Sequence, residues 1–234
     1  MRNPILVALD VPTEEAALGL ARQLAPVVAG FKIGSQLFTT AGPEIVRTIR
    51  SLDRLVFLDL KFHDIPNTVA KAVEAATRMG VQMLTIHTCG GTDMMRAAEE
   101  SAQKTALQSG GTAPLVLGVT VLTSMEGRTL SEVGCETNVA KQVERLALLA
   151  VRAGLRGLVC SPLEITALRQ LLPEQVQLVT PGIRLDSDSP DDQKRKLTPR
   201  EAVHAGASWL VIGRPIYAAE NPRMATEKIL QSLG

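Results

Sequence analysis

Short runs of β-branched and aliphatic residues alternate with amphipathic stretches along the whole chain. This alternation predicts a parallel sheet that is covered by helices. The predicted strands are Ile5–Asp10, Ala29–Ile33, Leu55–Lys61, Met83–His87, Leu115–Thr120, Gly157–Ser161, Gln177–Pro181 and Trp209–Gly213. The helical patterns lie near Glu14–Leu24, Pro43–Ser51, Thr68–Met79, Thr92–Leu107, Asn138–Ala153, Pro162–Leu171, Pro199–Ala205 and Arg223–Leu233. Eight alternations favour an α/β fold in which residues 1–234 form a single-domain (β/α)8 TIM barrel.

The main competing arrangement is an open, doubly wound sheet. Such a sheet usually has a glycine-rich turn after its first strand, whereas this chain has Asp10, Val11, Pro12 and Thr13 there. The closed barrel is therefore the favoured architecture. The polar stretch LDSDSPDDQKRK, from Leu185 to Lys196, separates the last two strands, and loops of this length are often active-site lids. We expect it to be a mobile flap.

The composition is that of an ordinary globular protein. The chain has 234 residues, 45% of them hydrophobic and 21% charged, with a formal net charge of +1. Because it is not basic and only 3% of its residues are aromatic, nucleic acid is not an expected partner. Its apolar runs fall far short of the roughly 18 to 20 residues that span a bilayer, so we expect no membrane association and a cytoplasmic location.

Three cysteines, Cys89, Cys135 and Cys160, are widely spaced and form no CxxC pair. This spacing supports neither a disulfide framework nor a zinc site. We therefore expect no metal, and we expect all three cysteines to be small buried hydrophobic residues.

Four ionisable residues lie near the carboxyl ends of the first three predicted strands, where barrel enzymes place their chemistry. Asp10 ends the first strand, Lys32 lies in the second, and Asp59 and Lys61 lie at the end of the third. Because side chains alternate along a strand, Asp59 and Lys61 are expected on the same face. Buried charges must be paired, so this cluster predicts either an ion network that closes the barrel or a preorganised electrostatic site.

A second group of residues predicts a phosphate site. The loops after strands seven and eight of barrel enzymes often bind phosphate. Here Pro181, Gly182, Ile183 and Arg184 follow strand seven, while Gly213 and Arg214 end and follow strand eight. Glycine allows close approach of the backbone to a phosphate, and arginine can make a bidentate charged contact.

The segment from Asp59 to Thr68 reads DLKFHDIPNT, and it makes the comparison with known families specific. This DxKxxDIPNT pattern resembles the signature of the orotidine 5'-monophosphate decarboxylase family. Further matching features run from the first strand to the last: Asp10, FKIG with Lys32, GVTVLTS with Thr123, TPGIR with Arg184, Gln193, and IGRPI with Arg214.

The resemblance implies cofactor-independent decarboxylation of orotidine 5'-monophosphate to UMP, the last step of de novo pyrimidine nucleotide biosynthesis. Lys61 would stabilise the C6 carbanion and protonate it. Asp59 would hold the Lys61 ammonium, Lys32 would pair with Asp59 and contact the ribose, and Asp10 would bind ribose hydroxyls.

The resemblance also implies contacts further from the reacting carbon. Gln193 in the flap would reach the phosphate, Arg184 and Thr123 would belong to the ligand-binding set, and Ser124 would hydrogen-bond the pyrimidine. Asp64, with Ile65 and Thr68, would enter the active site of the neighbouring subunit. A homodimer with shared active sites is thus expected.

Two alternatives remain open at this point. One is a phosphate-sugar barrel lyase such as 3-keto-L-gulonate 6-phosphate decarboxylase, which shares the DxKxxD core but works with magnesium. The other is a noncatalytic barrel that binds a nucleotide. The histidines do not change this choice, because a general base is not needed beside Lys61; we expect His63, His87 and His204 to be noncatalytic.

Overall fold

A closed barrel of eight parallel strands forms the centre of the molecule. The structure is a computed structural model that describes residues 3–183 and 197–233. The strands follow one another around the barrel in chain order, and the first strand pairs with the last through Ile5 and Leu210. Their bounds are β1 Ile5–Ala8, β2 Gly30–Gly34, β3 Leu55–Phe62, β4 Met83–His87, β5 Leu115–Val119, β6 Gly157–Val159, β7 Gln177–Thr180 and β8 Trp209–Ile212. The predicted (β/α)8 barrel is confirmed.

Helices on the outside of the barrel connect the strands. Their bounds are α1 Glu14–Leu24, α2 Ser35–Ala41, α3 Glu44–Arg50, α4 Pro66–Arg78, α5 Gly91–Gln108, α6 Gly127–Glu132, α7 Val139–Arg152, α8 Ile165–Leu171, α9 Pro199–Ala205, α10 Arg214–Tyr217 and α11 Pro222–Ser232. Short 3-10 turns lie at Ala25–Val27, Thr88–Gly90 and Pro162–Glu164. The predicted helices are all present, but the short α2, α6 and α10, of seven, six and four residues, were not predicted.

Local capping signals explain why α1 and α9 occupy the predicted residues. Thr13 begins α1, and its hydroxyl accepts a hydrogen bond from the backbone N–H of Ala16. Thr198 and Glu201 form a capping box at the start of α9, and Gly206 ends that helix in the left-handed conformation. Both devices satisfy backbone groups that the helix leaves unpaired.

The apolar side chains divide into two layers. One fills the barrel interior and comprises Leu6, Ala8, Phe57, Met83, Leu115, Leu117, Val179, Trp209 and Val211. The other lies between the sheet and the helices and includes Val56 and Leu58 of β3. Because Phe57 points inward, alternation along β3 places Asp59 on the inner face, above the apolar interior.

Beyond Leu58 the pairing of β3 is irregular. The register with β4 shifts between Leu58 and Phe62, and Lys61 has a φ of 52°. A regular strand has negative φ throughout, so the alternation rule alone does not describe the backbone at Lys61. The prediction that Asp59 and Lys61 share a face is correct in outcome, but the conformation that achieves it is a bulge.

The cysteines differ from the prediction. Cys160 is buried, but Cys135 is half-buried and Cys89 is exposed. Cys89 lies in the 3-10 turn after β4, and residue spacing gives no information about which side of a turn faces solvent. In residues 3–183 and 197–233, no helix is both long and apolar enough to cross a bilayer.

Candidate active site

A pocket of about 300 Å³ opens at the carboxyl ends of the strands. This is the end of a barrel at which enzymes of this fold place their chemistry. Its lining includes polar and charged residues from several strands and loops, namely Asp10, Lys32, Asp59, Lys61, Thr123, Ser161 and Arg214. Apolar and glycine residues complete it: Ala8, Val119, Val121, Leu122, Val159, Cys160, Pro181, Gly182, Ile183, Val211, Gly213, Pro215 and Tyr217.

Four of these side chains form a continuous charged array of alternating sign. Lys32 Nζ lies 2.8 Å from Asp10 Oδ1 and 3.8 Å from Asp59 Oδ2. Lys61 Nζ lies 2.8 Å from Asp59 Oδ1 and 2.9 Å from Asp59 Oδ2. The sequence therefore predicted the members of the array, and the structure gives their order as Asp10, Lys32, Asp59 and Lys61.

The inner and outer members of the array differ in exposure. The side chains of Lys32 and Asp59 are only 11% and 13% exposed, whereas those of Lys61 and Asp10 are 35% and 47% exposed. Removing an ion from water costs several kcal/mol unless it is paired, and here each inner ion has opposite charges on both sides. All four side chains line the pocket, and the two outer ones are the more accessible to a ligand.

Gly34 leaves the space that the first ion pair occupies. A Cβ atom at this position would lie 3.1 Å from Lys32 Nζ and 3.3 Å from Asp10 Oδ1. Both distances are shorter than ordinary van der Waals contact, so a side chain here would crowd the pair by a few tenths of an ångström. The glycine of the FKIG segment thus supports the array.

Thr85 on β4 holds the other end of the array, and sequence reasoning missed it. Its hydroxyl donates to Asp59 Oδ1 at 2.9 Å and accepts from the backbone N–H of Lys61 at 2.9 Å. The residue is fully buried. Nothing in the local sequence TIH distinguishes it from a threonine that merely fills a strand.

The loops after β7 and β8 contribute to the same pocket. Gly182 has a φ of 80°, a conformation that disfavours any residue with a side chain, and it lines the pocket beside Ile183. Gly213 and Arg214 line it from the start of α10, and the Arg214 side chain is exposed. These are the loops in which barrel enzymes often bind phosphate.

The remaining predicted site residues have three different placements. Thr123 is exposed and lines the pocket, whereas the neighbouring Ser124 is exposed but is not part of the lining. Asp64, Ile65 and Thr68 are exposed outside the pocket, with Ile65 66% exposed. Arg184, Gln193 and the predicted flap lie outside the described residues.

Two histidines lie beside the array without lining the pocket. His87 ends β4, and its ring centroid is 5.6 Å from that of the exposed His63. Burial lowers the pKa of His87, and the nearby His63 and Lys61 lower it further. Because its ordinary pKa is about 6.5, His87 is neutral at physiological pH and adds no positive charge beside Lys61.

A family model described as "Orotidine 5'-phosphate decarboxylase / HUMPS family" matches residues 3–229. The chain belongs to this family. Every residue of the array and both pocket loops fall within the range matched by the orotidine 5'-phosphate decarboxylase / HUMPS model.

Curated members of the family resemble the chain over its whole length. A protein of Pseudomonas fluorescens strain Pf0-1, named orotidine 5'-phosphate decarboxylase, is 52% identical over 232 residues, which cover 99% of this chain and 98% of that protein. A protein of Opitutus terrae with the same name is 51% identical over 233 residues, covering 100% of this chain and 99% of that protein.

Solved structures of family members share the fold. Orotidine 5'-phosphate decarboxylase from Lactobacillus acidophilus superposes with a TM-score of 0.89 at 34% identity and 100% coverage of both chains. The enzyme from Pyrococcus horikoshii gives a TM-score of 0.80 at 25% identity, covering 98% of each chain. The resemblance found in the motifs thus extends to the complete barrel.

Proposed function

We propose that this family member is an orotidine 5'-phosphate decarboxylase, which converts orotidine 5'-monophosphate to UMP in pyrimidine nucleotide biosynthesis. The observation that carries the proposal is the array, in which the Lys61 ammonium lies at the pocket and is held by both oxygens of Asp59. Relatives about 51–52% identical over nearly the whole chain bear the name of this enzyme, which supports the proposal.

The chemistry explains why a lysine is needed at this position. When the bond from C6 to the carboxylate breaks, the electron pair stays on C6 in an orbital in the plane of the ring. The ring carbonyls do not delocalise this charge easily, so an electrostatic partner must stabilise it. A unit charge about 4 Å away contributes on the order of 4 kcal/mol at an effective dielectric of 20.

Lys61 then completes the reaction as an acid. One ammonium proton passes to C6 and forms the new C–H bond, CO2 leaves, and water returns a proton to the amine. Two contacts of the ammonium are to Asp59, and an ammonium has three N–H donors, so a donor remains for the substrate. Both the stabilisation and the proton transfer therefore come from the side chains of the chain itself, without a cofactor or metal.

The rest of the pocket would bind the nonreacting parts of the nucleotide. Asp10, Lys32, Gly213 and Arg214 all line the pocket. In the proposal, Asp10 and Lys32 bind ribose hydroxyls, and Arg214 with the backbone at Gly213 binds the phosphate. Arg184, Gln193 and Thr123 complete this set in the proposal, and Ser124 is assigned to the pyrimidine. Phosphate contacts provide binding energy that offsets the cost of ordering a loop and excluding water around C6.

A homodimer with shared active sites belongs to the same proposal. Asp64, Ile65 and Thr68 lie outside the pocket of their own chain, and Ile65 is a large apolar side chain that is 66% exposed. In the proposed twofold dimer these residues would enter the partner's pocket, where Asp64 would extend the alternating array next to Lys61. A cytoplasmic location stays a prediction.

The array also separates this function from the two alternatives. A magnesium-dependent lyase needs carboxylates that are free to bind the metal, whereas Asp10 and Asp59 each bind a lysine here. A noncatalytic nucleotide-binding barrel has no need for an ammonium held against a buried carboxylate. The three functions also predict different results for turnover and for its sensitivity to EDTA.

The test is turnover of orotidine 5'-monophosphate in the presence of EDTA, followed by the loss of orotate absorbance. We expect wild type to form UMP and Lys61→Ala to lose at least about 10⁴-fold in kcat, because one residue provides both charge stabilisation and general acid catalysis. Lys71→Ala, which removes a 72% exposed lysine of α4, is the matched control and should retain full activity. Binding of the nucleotide without turnover by wild type would favour the noncatalytic barrel, and activity that EDTA abolishes would favour the magnesium-dependent lyase.

A further inference from the structure

The backbone at Lys61 is strained and needs support. Among residues 3–183 and 197–233, Asp53 and Lys61 are the non-glycine residues with positive φ, at 55° and 52°. A side chain in this region crowds the carbonyl group, and such conformations persist only where surrounding contacts favour them. Asp53 lies in a surface turn, whereas Lys61 lies within β3 at the pocket.

The support comes from a bulge against the neighbouring strand. Leu58 pairs with Leu84 and Phe62 pairs with Ile86, so three residues of β3 lie between these pairs opposite the single residue Thr85 of β4. The extra residues bend β3 and direct Lys61 back toward Asp59. Thr85 is the residue of β4 that this bulge faces.

The Thr85 hydroxyl binds both partners of the terminal ion pair. It accepts a hydrogen bond from the Lys61 backbone N–H and donates its proton to Asp59 Oδ1, which also accepts from Lys61 Nζ. A hydroxyl has one proton and can accept through its lone pairs, so these two contacts use its donor and one acceptor position. The residue is fully buried, so water does not compete for these contacts.

We propose that Thr85 is a positioning residue that sets the location of the Lys61 ammonium through the Lys61 backbone and the Asp59 carboxylate. It is not among the residues that line the pocket, and its effect on rate rests on the proposed acid role of Lys61. Its two hydrogen bonds fix both ends of the Lys61 side chain at once: the backbone from which it starts and the carboxylate on which it ends. A functional group supported in this way keeps its geometry without help from the substrate.

The test compares Thr85→Val, which keeps the shape of the side chain but removes the hydroxyl, with Thr85→Ser, which keeps the hydroxyl. We expect Thr85→Val to lower kcat by roughly 10- to 100-fold, because it removes the hydrogen bond to the charged Asp59 carboxylate and leaves the Lys61 backbone N–H without its acceptor. KM should stay within about threefold, since the phosphate and ribose contacts are unchanged. Thr85→Ser should restore kcat to within about threefold of wild type.

Thr226→Val is the matched control. Thr226 is also fully buried and donates its hydroxyl proton to a carbonyl, that of Pro222 in α11, but it does not line the pocket. It should lose stability without loss of kcat. If Thr85→Val keeps wild-type kcat, or if Thr85→Ser loses as much as Thr85→Val, the positioning role is wrong. Should Thr85→Val fail to fold, Thr85→Ala compared with Thr85→Ser makes the same distinction.

A structural readout separates failure of this inference from failure of the proposed function. In a crystal structure of Thr85→Val, we expect Lys61 to leave its positive φ or its Nζ to move away from Asp59. An unchanged Lys61 would overturn the inference whatever the activity. If wild type does not convert orotidine 5'-monophosphate, the proposed function fails, and the movement of Lys61 still decides whether Thr85 positions it.

Discussion

Replacing Asp59 with asparagine is the most informative change to the array. The Asp59→Asn side chain keeps the size and one oxygen acceptor but removes the charge that lies between two ammonium groups. Lys61 then loses its ion-pair partner, while Lys32 keeps Asp10 at 2.8 Å. The variant therefore tests whether charge at this position, and not merely shape, prepares Lys61 for the reaction.

The size of the effect follows from the distances. Lys61 Nζ lies 2.8 Å from Asp59 Oδ1 and Lys32 Nζ lies 3.8 Å from Asp59 Oδ2. A pair of unit charges near 4 Å is worth on the order of 4 kcal/mol at an effective dielectric of 20. If that interaction with Lys61 is lost in the transition state, kcat falls by about 10³-fold, since each 1.36 kcal/mol is a factor of ten. The 35% exposure of the Lys61 side chain makes this an upper estimate.

The assay measures kcat and KM for orotidine 5'-monophosphate, together with urea unfolding of each variant. We expect the loss mainly in kcat, because in the proposed mechanism Asp59 acts on Lys61, whereas the loops proposed to bind the phosphate are unchanged. Glu227→Gln makes the same chemical change in a more exposed pair with Arg223. It should leave kcat unchanged and should change the free energy of unfolding by no more than about 0.5 kcal/mol. A kcat for Asp59→Asn within threefold of wild type would refute the electrostatic reasoning.

Two further predictions follow from the half-buried His87 and the buried Cys160. Burial lowers the pKa of His87, so below about pH 6.5 the unfolded chain binds a proton that the folded chain does not, and stability falls as pH falls. Between pH 7.5 and pH 5.5, urea unfolding should show a larger loss of unfolding free energy for wild type than for His87→Gln. Equal pH dependences of the two proteins would contradict this. Burial raises the pKa of the Cys160 thiol to about 12, so iodoacetamide at pH 8 should modify Cys160 only after unfolding, as peptide mass spectrometry can measure. Modification of native Cys160 at the rate of the exposed Cys89 would show that its surroundings are open.

The sequence by itself determined the strands, most helices and the members of the charged array. Apolar runs and helical periods depend on neighbouring residues, so they can be read without knowledge of the fold. The bounds of α1 and α9 agree with the prediction because their capping residues are also local. Asp10, Lys32 and Asp59 could be placed at one mouth because the carboxyl ends of parallel strands meet there.

Only the tertiary structure decided how the array is held. Thr85 is 24 residues from Lys61 in the chain, and its two hydrogen bonds depend on the register of β4 against the bulge in β3. The need for Gly34 depends likewise on where Lys32 and Asp10 meet in space. The exposure of Ile65 depends on how the loop after β3 packs. Such contacts join residues distant in sequence, and neither composition nor periodicity records which of them meet, because the register between elements is set by packing of the whole barrel.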